Sequence, residues 1–410
     1  MPVSYHLAQR PSQREHWLEG TDRRMDGTIV TAVQDDLSRE VYCLLGIPID
    51  AIEMSAVLRN IDAAAASNVP FVISTPNLNF LVNSLADSEF RESLLGSDLC
   101  PADGMPIVWI ARLIGIPIKS RIAGSDIFEA LKSRPTSVRP LKIFLFGATP
   151  EVAAEACRRI NRDSAAMKCV GWSSPGFGNV DELSSDYFID RINSSNADFL
   201  VAALGAKKGQ SWLMRNHDRL RIPIRSHLGA TINFQAGTVK RAPYAWRRLG
   251  VEWLWRIKEE PSLFARYWHD GGVLIRLLLN QVLPLAVRAR SLRLQATWGR
   301  DLVVSAINEE HIVTLRLTGF AIADQLAKAT PYLRDALMSQ KQIVVDFAAT
   351  QAVDARFFGL LLMLRKQIKG RGGILRFIGI SSALERQFRL NGLGYLLSSS
   401  GRHDVTAIVN

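Results

Sequence analysis

The chain has 410 residues, 48% of them apolar, with 50 Lys and Arg against 39 Asp and Glu for a formal charge of +11. That length leaves room for two or three globular cores and excludes a disordered chain, while the basic balance favours anionic partners: nucleic acid, nucleotide-sugar diphosphates or an acidic membrane. Cys43, Cys100, Cys157 and Cys169 are far apart with no C-x-x-C pair, so neither a zinc site nor a disulfide framework is expected, and a reducing cytoplasmic setting fits.

Residues 1–38 are polar and charged with few clustered hydrophobes. They read as a flexible arm without the apolar centre of a signal peptide. From Val41 short apolar runs, Phe71 to Ile73, Ile143 to Phe146, Cys169 to Gly171, Phe199 to Leu204 and Ile222 to Ile224, alternate with helical patterns at Ala51 to Ala66, Pro150 to Ile160 and Asp181 to Ser194. Strands of that length separated by helices predict an α/β domain with a Rossmann-like parallel sheet over residues 39–239.

Thr75-Pro76-Asn77 follows the first of those strands, and Ala102-Asp103-Gly104 and Arg121-Ile122-Ala123-Gly124 answer it further on. A hydroxyl, an amide, a carboxylate and a guanidinium thus fall at strand exits or loops, where open α/β sheets place their chemistry. A partly desolvated carboxylate beside Gly can serve as a general base. The plainer reading is that Asp103 caps a helix starting near Met105, and Thr75 one starting near Asn77.

Gly147 closes the strand Ile143 to Phe146 and opens a helix, which is either a plain turn or a place where backbone N–H groups receive a phosphate, and Ser173 to Gly178 is a second glycine-bearing loop after a strand, either a turn or a lining of the donor pocket. Gly205-Ala206-Lys207-Lys208-Gly209-Gln210 leaves a third strand with donors suited to a diphosphate and sugar hydroxyls. Residues 240–295 form a basic, aromatic, helical appendage: Lys240 to Arg293 holds eleven cations against four carboxylates, interleaved with Trp246, Trp253, Trp255, Tyr267 and Trp268. Such a pattern suits an interfacial helix, a packed subunit surface or a nucleic-acid face. The most apolar run, Gly271 to Val287, is interrupted by Arg276, Asn280 and Gln281, so any membrane contact is expected to be peripheral. Residues 296–410 read as a small second α/β domain, with strands at His311 to Gly319, Gln342 to Phe347 and Gly373 to Gly379 and a helix at Ala355 to Lys369.

Taken together, Thr75-Pro76-Asn77, Ala102-Asp103-Gly104, Arg121 to Asp126, Gly205 to Gln210, Arg241-Ala242-Pro243 and Gly250-Val251-Glu252-Trp253 resemble, in order and spacing, the T-x-N, P-D-G, R-x-x-G-x-D, G-x-P-K-Q-E, R-A-P and G-x-E-W segments of the WecG/TagA/CpsF family of bacterial glycosyltransferases. The resemblance implies an inverting transfer of a hexose-type sugar from a UDP-sugar to a polyprenyl-diphosphate-linked acceptor, at the inner face of the cytoplasmic membrane and without nucleic acid. On it Asp103 is the base, Thr75, Asn77, Gln210 and Asn233 meet sugar or acceptor, Arg121 and Lys208 steady phosphate charge, and Gly147, Arg241 and Arg256 meet the donor phosphates or nucleotide. It also implies that the appendage sits near the active site and touches the membrane. Two segments depart from the pattern: with Lys208 aligned, Gly209 stands at the family's Gln and Gln210 at its Glu, and Ile232-Asn233-Phe234 replaces F-D-F.

No D-x-D pair occurs, so no metal or other cofactor is expected and cations must offset the leaving group's charge. Ile343 to Phe347, Val353-Asp354, Gly359 to Leu361 and Asn391 to Leu393 resemble a STAS domain. Ala355 and Arg356 stand where a phosphorylatable hydroxyl would follow Asp354, which leaves docking or self-association for this domain and no part in transfer. Two rival readings are a catalytically silent adaptor and a nucleotide-dependent oxidoreductase; the latter lacks G-x-G-x-x-G after a strand.

Overall fold

The computed structural model describes residues 35–135, 139–295 and 301–398, so of the expected N-terminal arm only Asp35 to Ser38 lie within it. Those four residues belong to the packed molecule: Asp36–Ser38 form a turn of 3-10 helix that Asp35 caps.

A hairpin follows, β1 (Val41–Leu44) and β2 (Ile47–Asp50), joined by Leu45 and Gly46, both at positive φ. Sequence patterning missed it because every residue in both strands is buried, which erases the polar alternation of a half-exposed strand.

Next come α1 (Met54–Ser67), β3 (Phe71–Ile73), α2 (Leu78–Ala86), α3 (Ser88–Leu95), α4 (Met105–Leu113), α5 (Gly124–Lys132), β4 (Leu141–Gly147), α6 (Pro150–Asp163), β5 (Met167–Ser173), α7 (Asp186–Asn193), β6 (Phe199–Ala203), α8 (Ala206–Arg215), β7 (Ile224–His227) and α9 (Thr231–Ala236). The five strands β3 to β7 pair in parallel in the order β3-β7-β6-β4-β5, the Rossmann-like sheet expected. Its helices form where apolar residues recur at helical spacing, as Val57, Ile61 and Ala64 do in α1 and Ala153, Ala156 and Ile160 in α6. The last strand begins at Ile224, two residues later than patterning suggested.

One expectation is corrected. Cys157 on α6 and Cys169 on β5 form a disulfide, with Cα atoms 5.3 Å apart, because α6 folds back along the strand that follows it. Cys43 and Cys100 are free and buried.

The appendage comprises α10 (Tyr244–Leu249), α11 (Glu252–Glu259), α12 (Phe264–Leu277) and α13 (Leu283–Gln295). A π turn, Leu278–Val282, joins the last two without a break; Pro284, which lacks an N–H and crowds the preceding turn, accounts for the irregularity. Among the described residues, Pro261–Leu292 is a helix long and apolar enough to cross a membrane by length and composition, with 17% of its most apolar window buried. Phe264, Trp268, Ile275, Leu279 and Val287 on it are each more than half exposed.

The C-terminal domain has β8 (Val303–Asn308), β9 (Ile312–Ala321), α14 (Leu326–Met338), β10 (Gln342–Val353), α15 (Ala355–Gly370), β11 (Leu375–Ile378), α16 (Ser382–Leu390) and α17 (Gly394–Ser398), with a mixed sheet in the order β11-β10-β9-β8. It is not set apart from the first domain. The hairpin is sandwiched: Val41 and Cys43 join the core of the C-terminal sheet and α15, whereas Leu44, Ile47 and Ile49 pack with α2 and α4. Gly359 lies so close to the Val41 carbonyl that a Cβ there would sit 2.1 Å from its oxygen. Arg356 donates to the Val41 and Arg39 carbonyls at 2.9 and 2.8 Å.

Arg39, 3% exposed, holds this junction with bonds from Nε and Nη2 to Asp50 and from Nη1 to Asp36 at 2.6 Å. Removing one member of a buried ion pair leaves an uncompensated charge and costs about 3–5 kcal/mol. Arg39→Met is therefore expected to lower stability by about that amount, read from the midpoint and slope of urea unfolding; an unchanged midpoint would show the pair to be dispensable.

Candidate active site

The motif segments meet at the carboxyl end of β3. Beyond Ile73 the chain passes Ser74, Thr75 and Pro76 to Asn77, whose Oδ1 accepts the Phe80 N–H and caps α2. Residues 97–103 run beside this exit. Ser74 N–H donates to the Leu99 carbonyl at 2.9 Å, Asp103 N–H to the Pro76 carbonyl at 2.9 Å, and Ile122 N–H to the Ala102 carbonyl at 2.8 Å. Three segments far apart in sequence are thereby tied by main-chain bonds, and close approach requires the glycines. A Cβ on Gly124 would come within 3.2 Å of Thr75 Oγ1 and 2.7 Å of Leu228 Cδ2, and Gly104, at φ +86°, faces Asn77.

Asp103 is not a helix cap, since α4 starts from Gly104 with no side-chain cap. Burial raises its carboxyl pKa to about 7; Arg121 and the Gly124 N–H pull it down, Glu252 and Asp126 push it up. A carboxylate near half-ionised at neutral pH is suited to proton transfer.

Beside it lies a charged cluster drawn from α5, α10, α11 and the segments that precede α5 and α10. Arg121 bonds Asp126 at 2.9 Å and Glu252 at 2.5 Å. Asp126 also receives Arg241, which bonds Ser125 as well, and Arg247 at 3.4 Å. Three guanidiniums thus surround two carboxylates: Arg247 of α10 and Glu252 of α11 balance each other, and Arg241, just before α10, brings the excess positive charge to α5. Asp126 and Glu252 stand inside the sequence motifs but were not among the expected site residues; their role shows only when the appendage folds back.

The remaining expected residues lie elsewhere. Gly147, at φ +122°, ends β4 against β6, and a Cβ there would meet the Ala203 carbonyl at 2.4 Å. That is where the strand order reverses, the usual ligand crevice of such sheets. Lys208 on α8 reaches the Gly178 carbonyl at 2.8 Å, tying the loops after β5 and β6 together. Asn233 is half-buried on α9, its carbonyl closing that helix. Arg256 pairs with Glu260 at 2.5 Å and lies over the Phe234 ring.

Gln210, expected to hold a donor hydroxyl, is 1% exposed; its Nε2 donates to Ser74 Oγ at 2.9 Å, and that hydroxyl lies 2.8 Å from Ser97 Oγ. The structure gives it the support of the β3 exit instead of an open position. His227, which sequence reading passed over, ends β7 with a buried Nε2 that has no hydrogen-bond partner among the described residues. Burial pushes its pKa down to about 4, so the ring is neutral. Gly209 makes room for it: a Cβ there would lie 2.1 Å from the imidazole Cδ2. Among the described residues no group of three or more His, Cys, Asp or Glu is arranged to hold a metal ion.

Comparison with known proteins gives two findings. The model of the glycosyl transferase WecG/TagA/CpsF family matches residues 42–288. The chain is also similar to the N-acetylglucosaminyldiphosphoundecaprenol N-acetyl-beta-D-mannosaminyltransferase of Bacillus spizizenii, 27% identical over 195 residues that cover 48% of this chain and 73% of the relative.

The raised carboxyl pKa sets a sign. Because folded Asp103 binds its proton more tightly than the ordinary value of 3.8 allows, its contribution favours folding below about pH 4 and is lost as pH rises through about 7. Asp103→Asn should therefore unfold at a higher temperature than the parent at pH 8, and the gap should close at pH 4. A gap of equal size at both pH values would refute the buried-carboxylate assignment.

Proposed function

Because the chain belongs to the glycosyl transferase WecG/TagA/CpsF family and is a glycosyltransferase, we propose that it moves a hexose-type sugar, an N-acetylhexosamine foremost, from a UDP-sugar to a lipid-diphosphate-linked acceptor in bacterial surface or exopolysaccharide synthesis. The activity for which the Bacillus spizizenii relative is named supports the acceptor class and the N-acetylhexosamine. The observation that carries the reading is Asp103, a desolvated carboxyl with a pKa of about 7 at the junction of the three motif loops.

In this mechanism Asp103 takes the proton of the acceptor hydroxyl as its oxygen attacks the anomeric carbon from the face opposite the departing diphosphate. The configuration inverts. Thr75 and Asn77 orient sugar and acceptor, Gly147 and the helix start after it receive the nucleotide phosphates, and Arg121, Arg241 and Lys208 offset charge developing on the leaving group. A carboxyl raised toward neutral pH among the motif loops favours an enzyme over a silent adaptor.

Contact with the membrane is proposed to be peripheral. The exposed stripe from Phe264 to Val287 supplies an apolar face and the surrounding arginines an electrostatic one. Replacing Trp268 and Ile275 with Asp should abolish the binding to anionic vesicles that survives high salt, measured by sedimentation. Parental sedimentation would place the stripe in a protein interface.

Asp103→Asn should lower turnover by about a hundredfold or more with a panel of UDP-sugars and a lipid-diphosphate acceptor analogue. The parent's kcat/KM should fall as pH drops below about 7, where Asp103 gains its proton, and activity should persist in EDTA. Parental turnover in the variant removes Asp103 from the chemistry; loss in EDTA that magnesium or manganese restores removes the metal-free mechanism.

A further inference from the structure

Lys366 carries the C-terminal domain to the loop that ends in Asp103. Lys366, on the face of α15 turned to the first domain, extends its Nζ to Asp98 Oδ1 at 2.7 Å, to Asp36 Oδ1 at 3.1 Å and to the Ser97 carbonyl at 3.2 Å. The other oxygen of Asp98 accepts the Val72 N–H at 2.8 Å. That ammonium, together with Arg39 Nη1, which donates to the same Ser97 carbonyl at 3.1 Å, pins residues 97 and 98 between α15 and β3.

From that point to Asp103 no residue is free to absorb a displacement. Asp98 and Leu99 N–H groups donate to Val72, and the Leu99 carbonyl accepts from Ser74. The Cys100 N–H donates to Asp50 Oδ2 at 2.6 Å, while the Cys100 carbonyl accepts the Asp50 N–H. Pro101 bridges Asp50, Ala102 accepts from Ile122, and Asp103 donates to Pro76. A strip bonded at every residue moves as a unit, so the position of residues 97 and 98 is carried to residue 103.

We propose that the C-terminal domain is a working part of the catalytic unit, with Lys366 a positioning residue that sets the Ser97–Asp103 strip and through it the Asp103 carboxylate. This rests on Asp103 being the base, and it replaces the expectation that the domain has no part in transfer. Without the ammonium, Asp98 loses its ion pair to α15 while Asp36 keeps Arg39, and the strip loses its tie to the C-terminal domain. Any displacement carried to residue 103 opens the partly buried Asp103 carboxyl further to water, and its pKa returns toward the ordinary carboxylate range. The groups facing that carboxyl are Arg121, Asp126, Glu252 and the Gly124 N–H, none of which the substitution touches.

The test uses the full-length protein with a UDP-sugar donor and a lipid-diphosphate acceptor analogue. Lys366→Met is expected to lower kcat by about tenfold or more through misplacement of the base, with little change in KM, and to move the acid limb of the kcat/KM profile to lower pH. Lys366→Arg should restore both. Parental kcat and an unmoved acid limb in Lys366→Met, whatever its melting temperature, would overturn the inference. Should that variant fail to fold, Asp98→Asn is measured in its place, with the same shift expected and an unmoved limb again decisive. An Asp103→Asn arm separates the two ideas. Activity retained there sinks the catalytic reading itself, whereas an inactive Asp103→Asn beside an unaltered Lys366→Met sinks only the positioning role.

Discussion

The Asp50 carboxylate is the point on which the molecule turns. It takes two bonds from Arg39 and one from the Cys100 N–H, so a single buried anion joins the hairpin, the strip that ends in Asp103 and, through Arg39 and Arg356, the C-terminal domain. Burying such a pair gives up hydration that attraction alone seldom returns. What the arrangement supplies is register: each charge has one geometry in which its bonds are met, and three parts of the chain share it.

The sheet was legible because its strands are short apolar runs closed by Gly, Ser or Pro and separated by helical spacing, and the motif loops fell at the strand exits that the topology uses. What stayed illegible depended on contacts between distant segments. The hairpin at Val41 to Asp50 has no alternation to read, being covered on both faces. Cys157 and Cys169 looked unrelated until α6 folded back on β5. Gln210 has the right chemistry for a sugar hydroxyl, yet packing places it under Ser74. The merging of the two domains had no sequence mark except small residues, Gly46, Gly359 and Gly392, whose meaning is close approach: a Cβ on Gly46 would lie 2.8 Å from the Gly392 carbonyl.

Charge in this chain is divided by location. The basic excess read from composition is partly neutralised beside Asp103, where Asp126 and Glu252 hold Arg121, Arg241 and Arg247 in place. Positive charge fixed in this way needs little reorganisation when an anionic leaving group forms, which is the condition under which electrostatic stabilisation is largest. On α12 and α13 the arginines instead flank an exposed apolar stripe. The same residue type thus serves a rigid site at one end of the appendage and a wetted surface at the other.

The contact between Gly209 and His227 ties two positions together over evolutionary time. A side chain at 209 would have its first carbon inside the space of the imidazole, so a larger residue there requires the residue at 227 to shift or shrink. A homologue carrying both a histidine at 227 and anything larger than glycine at 209 should therefore have moved the imidazole or rebuilt the end of β7 to hold them.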